Sequence, residues 1–359
     1  FTVSAKLCAK VPDSLSNETA VFTVIASIGL QGIRLAKPSL GETFLVSGLG
    51  LIGLLTSQLL KANGCKVLGI DTDNIKCKIA QSFGVETFTL NKENNPIEWC
   101  LDKTKGNGVD GALITASTSS SEPIDIAASS CRKKGRIISI GVTGLNLKRE
   151  LFYKKELSFQ VSCSYGPGRY DKEYEEKGTD YPLPFVRWTE QRNFEAVLDS
   201  MENGLINVNP LISNIFDFRN ATAAYELLMS KEKTLGIIFK YSQNIEKKET
   251  IKLKSNIDNF LDNDPNKAFV SFIGSGNYAS RKLIPAFKKA KAEFYSLSGN
   301  KGLSPAFIGR KFKFEYATTN VESILNDKKC NSVVIATRHD SHAELVNKSL
   351  LNGKNIFVE

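Results

Sequence analysis

Along most of this chain, hydrophobic positions switch back and forth between two periods. Short β-branched and apolar runs fall at residues 43–47, 66–70, 87–89, 111–115 and 136–140. Between them, at residues 51–63, 74–83, 96–105 and 122–131, apolar side chains return every third or fourth position, the spacing of one helix face. A longer helical pattern, 21–36, precedes the first run, with Asp13, Ser14 and Ser16 as candidate caps. Strands alternating with helices predict an α/β fold built on a doubly wound parallel sheet. "LSFQVSCSYG" reads as one more strand. "RWTEQRNFEAVLDSMENG" and "NATAAYELLMSKEK" read as helices, and "LGIIFKY" as a short closing strand.

The alternation stops at residues 241–266, where "SQNIEKKETIKLKSNIDNFLDNDPNK" is rich in Lys, Asn, Asp and Glu. Such a segment cannot bury much apolar surface and is expected to be a linker, 242–266. The pattern then restarts and alternates to "NIFVE" at the end of the sequence. The expectation is two doubly wound parallel-sheet domains, 21–241 and 267–359, alike in architecture and not in sequence.

Composition changes this picture little. Of 359 residues, 42% are hydrophobic and 24% charged, as in globular proteins. No stretch supplies the roughly 20 uninterrupted apolar residues of a membrane helix. The net charge of +9 comes mostly from lysines dispersed among acids, without the aromatic–basic interleaving of a nucleic-acid surface. No nucleic-acid or membrane partner is expected. The seven cysteines are scattered and form no C-x-x-C pair, which fits reduced thiols in a cytoplasm. The sequence begins at Phe1 without a basic-then-apolar leader, and both ends read as cuts from a longer protein.

The chemistry lies at two glycine turns. Gly48, Gly50 and Gly53 spell G-x-G-x-x-G between a strand and a helix, enclosing Leu49, Leu51 and Ile52. The first glycine allows the tight turn, the second lets main chain approach a pyrophosphate, and the third lets helix and strand pack closely. The helix N-terminus favours the phosphate charge. The next strand ends in Asp71, at the spacing of a carboxylate that accepts from ribose hydroxyls and repels a 2′-phosphate. NAD is the expected coenzyme of this turn. Gly274, Gly276 and Ala279 spell G-x-G-x-x-A in the same context, with Asn277 inside it. Its second strand ends in Ser298, Gly299 and Asn300, so NAD or NADP fits there.

With those residues, "GETFLVSGLGLIGLLTSQLLKANGCKVLGIDTDNIKCKIAQSFGVE", "GVDGALITAS", "CRKKGRIISIGV" and "NATAAYELLMSKEKTLGIIFKY" resemble the coenzyme domain of medium-chain, zinc-type alcohol dehydrogenases. The resemblance covers residues 1–241. It implies that 1–20 are the remnant of an N-terminal catalytic domain and that a zinc ligand, usually cysteine, would fall at Thr23 or Val24. Neither side chain is a thiolate, so zinc is not expected. It also places "SYGPGRYDKEYEEKGTDYPLPFVRW" near the nicotinamide, where Tyr165, Arg169, Tyr170, Tyr181 and Trp188 are candidates to hold a polyhydroxylated substrate. The competing reading is a structured loop whose aromatics pack on their own domain. Relatives pair through the last sheet strand, here 157–165, which implies a homodimer.

"NSVVIATRHDSHAELVNKSLLNGKNIFVE" resembles the N-terminal domain of the glucose–fructose oxidoreductase/inositol dehydrogenase family. The resemblance implies coenzyme contacts from Thr337, Arg338, His339 and His342, and matches Glu359 to the Glu of a Glu-Lys-Pro motif. As a metal pair, His339 and His342 lack a third ligand nearby. Together the two resemblances imply a bi-domain oxidoreductase acting on an alcohol or sugar, as in surface-polysaccharide pathways. The alternative is a dinucleotide-binding sensor or scaffold without chemistry. No catalytic residue is assigned.

Overall fold

The computed structural model describes residues 3–91, 93–230, 232–242, 248–253, 268–300 and 302–359. The chain divides into two compact units, Phe1–Ser242 and Gln243–Glu359.

The first unit is built on six parallel strands: β1 Thr43–Ser47, β2 Lys66–Asp71, β3 Glu86–Thr89, β4 Val109–Ile114, β5 Cys131–Ser139 and β6 Ser158–Val161. They lie in the order β3-β2-β1-β4-β5-β6. The order reverses between β1 and β4, and in open parallel sheets the crevice beyond the strand ends at that point is where ligands bind. Alternation along the central strands explains the two faces. Phe44 and Val46 of β1 enter one core with the helices Thr23–Ala36, Leu51–Ala62 and Glu190–Glu202, and Leu45 enters the other with Glu122–Ser130. Two further strands, β7 Ile212–Asp217 and β8 Gly236–Lys240, form a separate parallel pair joined through the helix Ala221–Met229.

The second unit repeats the plan with β10 Phe269–Ile273, β11 Glu293–Ser298, β12 Tyr316–Thr318, β13 Ser332–Ile335 and β14 Asn355–Val358, all parallel. β9, Thr250–Lys252, pairs antiparallel with β12 at the sheet edge, in the order β14-β13-β10-β11-β12-β9. β9 falls inside the segment read as linker. Residues 243–247 and 254–266 of that segment lie outside the described residues. The strand escapes a pattern reading because only Ile251 of its three residues turns inward, and backbone pairing with β12 holds it.

The helix after the second glycine turn differs from its counterpart. It opens with a π-helical stretch, Ala279–Leu283, in which the Ile284 N–H bonds the Ala279 carbonyl. Pro285 follows, and its ring would clash with the carbonyl four residues back in a regular α-helix. The wider turn relieves that clash.

Candidate functional site

β1 delivers its last residue, Ser47, directly into the first glycine turn. Gly48 has φ +97°, and a Cβ there would stand 2.6 Å from the Ala116 nitrogen on the connection after β4. Its N–H bonds the Ile70 carbonyl at 2.8 Å, tying the turn to β2. Gly50 caps the helix Leu51–Ala62, and a Cβ there would meet nothing within 4 Å. At Gly53 a Cβ would come within 1.9 Å of the Gly48 carbonyl oxygen. The three glycines therefore serve three different needs: a left-handed turn, an open approach, and contact of helix with turn. The first-turn amides of Leu51, Ile52 and Gly53 have no intrahelical acceptors by the geometry of any helix start.

Asp71 ends β2 and is 9% exposed. One carboxylate oxygen accepts from the Leu49 N–H at 2.7 Å and the other from the Asp73 N–H at 2.8 Å. These bonds fix the carboxylate beside the turn and leave lone pairs on both oxygens. Asp73 caps the helix Asn74–Ser82 and pairs with Lys233 at 3.0 Å. Burial opposes ionisation of Asp73, yet the Lys233 ammonium and the Ile75 N–H hold its carboxyl below the ordinary value.

A crevice of about 500 Å³ lies over these groups, lined by Gly48, Gly50, Asp71, Thr72, Lys76, Thr115, Thr118 and Ile126 among others. It sits at the ends of β1, β2 and β4, where the strand order reverses. Motif reading does not single out Lys76 or the Thr115–Ser120 connection. The signal that finds them is the parallel register, which sets β4 against β1 (Ser47 beside Ile114).

Tyr165, Arg169 and Trp188 do not line that crevice. The Tyr165 ring packs on Phe194 with centroids 5.3 Å apart, and Arg169 pairs with Glu175 at 2.6 Å. Both the Arg34 and the Arg187 guanidinium contact the Trp188 ring. Tyr170 lies under Arg169, and Tyr181 donates to Asp171. Within the loop, Arg169 and Tyr181 thus find acidic partners in Glu175 and Asp171. Behind it, Glu190 is fully buried with no hydrogen-bond partner for either carboxylate oxygen among the described residues. Burial first, and then the Glu175 charge, pushes its carboxyl up to about 7.

The second glycine turn repeats the geometry of the first at two of three positions. Gly274 has φ +110°, a Cβ there would lie 2.3 Å from the Ala336 oxygen, and its N–H bonds the Ser298 carbonyl at 3.2 Å. Gly276 is open on its Cβ side. The third position is Ala279, 1% exposed. Register identifies the counterpart of Asp71. Ser47 pairs with Ile70 and Ile273 with Ser298, so the residue matching Asp71 is Gly299. A Cβ at Gly299 would come within 2.4 Å of the Ser275 hydroxyl. Asn277 is exposed at the start of the helix. Thr337 shares a hydrogen bond with Ser341 at 2.7 Å, the His342 Nε2 lies 3.1 Å from the Thr337 carbonyl, and the His339 and His342 rings meet edge to face. The Glu359 N–H bonds the Ile335 carbonyl, and its side chain is exposed.

Residues 52–177 match the family model of the zinc-binding dehydrogenases, and residues 269–359 match that of an oxidoreductase family with an NAD-binding Rossmann fold. One match falls in each of the two compact units. The chain is 28% identical over 224 residues to the D-guloside 3-dehydrogenase of Escherichia coli K12, a match covering 60% of this chain and 59% of that protein. A D-xylulose reductase of Scheffersomyces stipitis is 25% identical over 222 residues, covering 61% and 56%. In structure, the alcohol dehydrogenase TADH from Thermus sp. ATN1 superposes with a TM-score of 0.53 at 22% identity, over 65% of this chain and 61% of that one, a likeness of fold. The matches span less than two thirds of the length of these relatives.

The residues present fit a dinucleotide: an open approach at Gly50 and a fixed carboxylate flank one crevice. Among the described residues no three His, Cys, Asp or Glu side chains gather as ligands, and the Thr23 hydroxyl is spent on the Ala20 carbonyl at 2.6 Å. No helix among them is long and apolar enough to cross a membrane.

Proposed function

We propose that this chain handles the coenzymes of an NAD(P)-dependent oxidoreductase that moves a hydride between an alcohol or sugar C–H and a nicotinamide. The observation that carries the reading is the crevice at the first glycine turn, with Gly50 open toward it and Asp71 held at its edge. The similarity of the first domain to sugar and polyol dehydrogenases supports the substrate class. When bound, the nicotinamide supplies the hydride chemistry. The protein's own part is placement. The amides of Leu51, Ile52 and Gly53 donate to the pyrophosphate, with Gly48 shaping the turn and Leu49 held by Asp71. The Asp71 carboxylate accepts from the ribose hydroxyls and disfavours a 2′-phosphate, so the first domain takes NAD. The second domain, built on Gly274, Gly276, Asn277 and Ala279, has Gly299 where that carboxylate would stand, so it tolerates either coenzyme. Thr337, His339 and His342 follow the end of β13, on the side of the sheet where Gly274 turns.

The test is a titration of the chain with NADH and NADPH, followed by hydride-transfer assays on polyols and sugars with the complete reading frame. Saturable NADH binding with turnover supports the reading. Saturable binding without turnover on any alcohol or sugar supports a sensor instead. We also propose that the open edge of β6, where Val161 is 57% exposed, pairs with a second copy. A monomeric mass at micromolar concentration in light scattering would contradict that pairing.

A further inference from the structure

The helix Leu51–Ala62 begins at the glycine turn and carries the chain away from it for twelve residues, about 18 Å. At its far end, around Ala62 and Asn63, a second cavity of about 420 Å³ opens, lined also by Arg34, Lys37, Trp188 and Ser200. The coenzyme reading makes no use of it.

Two cations meet at one aromatic ring there. The Arg34 guanidinium carbon lies 3.3 Å from the Trp188 ring centroid, and that of Arg187 lies 4.0 Å from it. The ion pairs formed by arginines among the described residues use Arg132, Arg136, Arg169 and Arg192, and neither of these two. Trp188 therefore joins two guanidiniums without an acidic side chain to balance them. Burial and the neighbouring Arg187 charge bring the Arg34 guanidinium down to about 10. Of its N–H donors, Nε reaches the Asn193 Oδ1 at 3.2 Å. No other acceptor for Arg34 is found among the described residues. Its place in the last turn of the helix Thr23–Ala36 offsets part of the charge without occupying the remaining donors. A planar fork of free N–H groups opening on a cavity matches an oxyanion in shape and charge. The ring contacts hold both forks in place, so little side-chain freedom remains to be lost on binding.

We infer that the Arg34–Trp188–Arg187 cluster is a binding site for an oxyanion, a phosphate or carboxylate group carried by a small molecule, at the end of the first domain remote from the coenzyme turn. The anion lies against the Arg34 Nη groups, with Lys37 beside it in the cavity wall. The site is separate from the coenzyme crevice, so its ligand binds whether or not the coenzyme does.

The chain has two tryptophans, Trp99 and Trp188. In a Trp99→Phe background, emission therefore reports on Trp188 alone. The probes are inorganic phosphate and, separately, succinate, each raised to about 50 mM against sodium chloride of matched ionic strength. The expected result is a saturable change in Trp188 emission with one of the two, which also identifies the group. Arg34→Gln should weaken it about tenfold or more, and Arg187→Gln, at an exposed position chosen to leave folding intact, by a few-fold. A response to neither probe beyond that of chloride overturns the inference. So does a saturable response that both variants leave unchanged.

Discussion

The two glycine turns have the same backbone and different chemistry. In both, the first glycine is left-handed and pressed against the connection that follows a neighbouring strand, and the second faces open space. They part at the third position and at the end of the following strand. In the first domain, Gly53 lets the helix touch the turn, and Asp71 reaches back to brace the Leu49 amide. In the second, Ala279 keeps a methyl group at that contact, the helix opens as a π turn, and Gly299 leaves the strand end without a carboxylate. Positions that shape the turn are thus shared, while the carboxylate beside it is present in one domain and missing from the other.

The largest break in that comparison is expected at the third position. Gly53→Ala forces a methyl group onto the Gly48 carbonyl, 1.9 Å away before relaxation. Overpacking against main chain should cost about 3 kcal/mol, lower the unfolding midpoint of the first unit by several degrees, and abolish its NADH binding. The reverse change in the second unit, Ala279→Gly, should cost only about 1 kcal/mol of helix propensity. Differential scanning calorimetry, which resolves the two units if they melt separately, checks both.

At the second position the domains should behave alike. The methyl group that alanine would add at Gly50 or Gly276 meets no atom within 4 Å, and Gly50 has φ −67°, which alanine adopts freely. Gly50→Ala and Gly276→Ala should leave stability within about 0.5 kcal/mol. Each should weaken coenzyme binding in its own domain about tenfold or more, because the methyl group stands where the pyrophosphate approaches. Isothermal titration of each variant separates the two effects.

A smaller, pH-dependent contrast belongs to the first unit alone. The Glu190 carboxyl is raised to about 7 from an ordinary value of 4.5. The stability held by its neutral form is complete below about 4.5 and is lost as pH rises through about 7. Its ionisation at pH 8 should cost on the order of 2–3 kcal/mol. Glu190→Gln should therefore raise the unfolding midpoint at pH 8 and leave it nearly unchanged at pH 4.5. A variant whose pH profile runs parallel to the parent's removes Glu190 as the source.

Much of this comparison was legible in the sequence because it rests on local pattern. β1 begins and ends where its apolar run does, and the turn glycines and Asp71 are fixed by spacing along one strand–turn–helix unit. What was not legible depends on partners distant in sequence. β7 reads poorly because its residues alternate between half-buried and exposed and include Asn214 and Asp217; pairing with β8 holds it. Gly299 becomes the counterpart of Asp71 only once the register of β10 and β11 is known. The aromatic loop offered Tyr165, Arg169 and Trp188 as substrate contacts; Arg169 pairs inside the loop with Glu175, while Tyr165 and Trp188 meet neighbours from elsewhere in the first unit. Phe194 and Arg34 lie on two other helices, and no local spacing announces that they meet this loop.

The claim on which the rest depends is that Asp71 reads the ribose at a main-chain phosphate cradle. Its most direct test is the ratio of NADH to NADPH affinity in the first domain, measured by calorimetry with the second site weakened by Gly276→Ala, before and after Asp71→Ala. The account predicts a preference for NADH of about tenfold or more that falls close to unity in the variant. Equal affinity for the two coenzymes before the substitution, or an undiminished preference for NADH after it, would contradict the account.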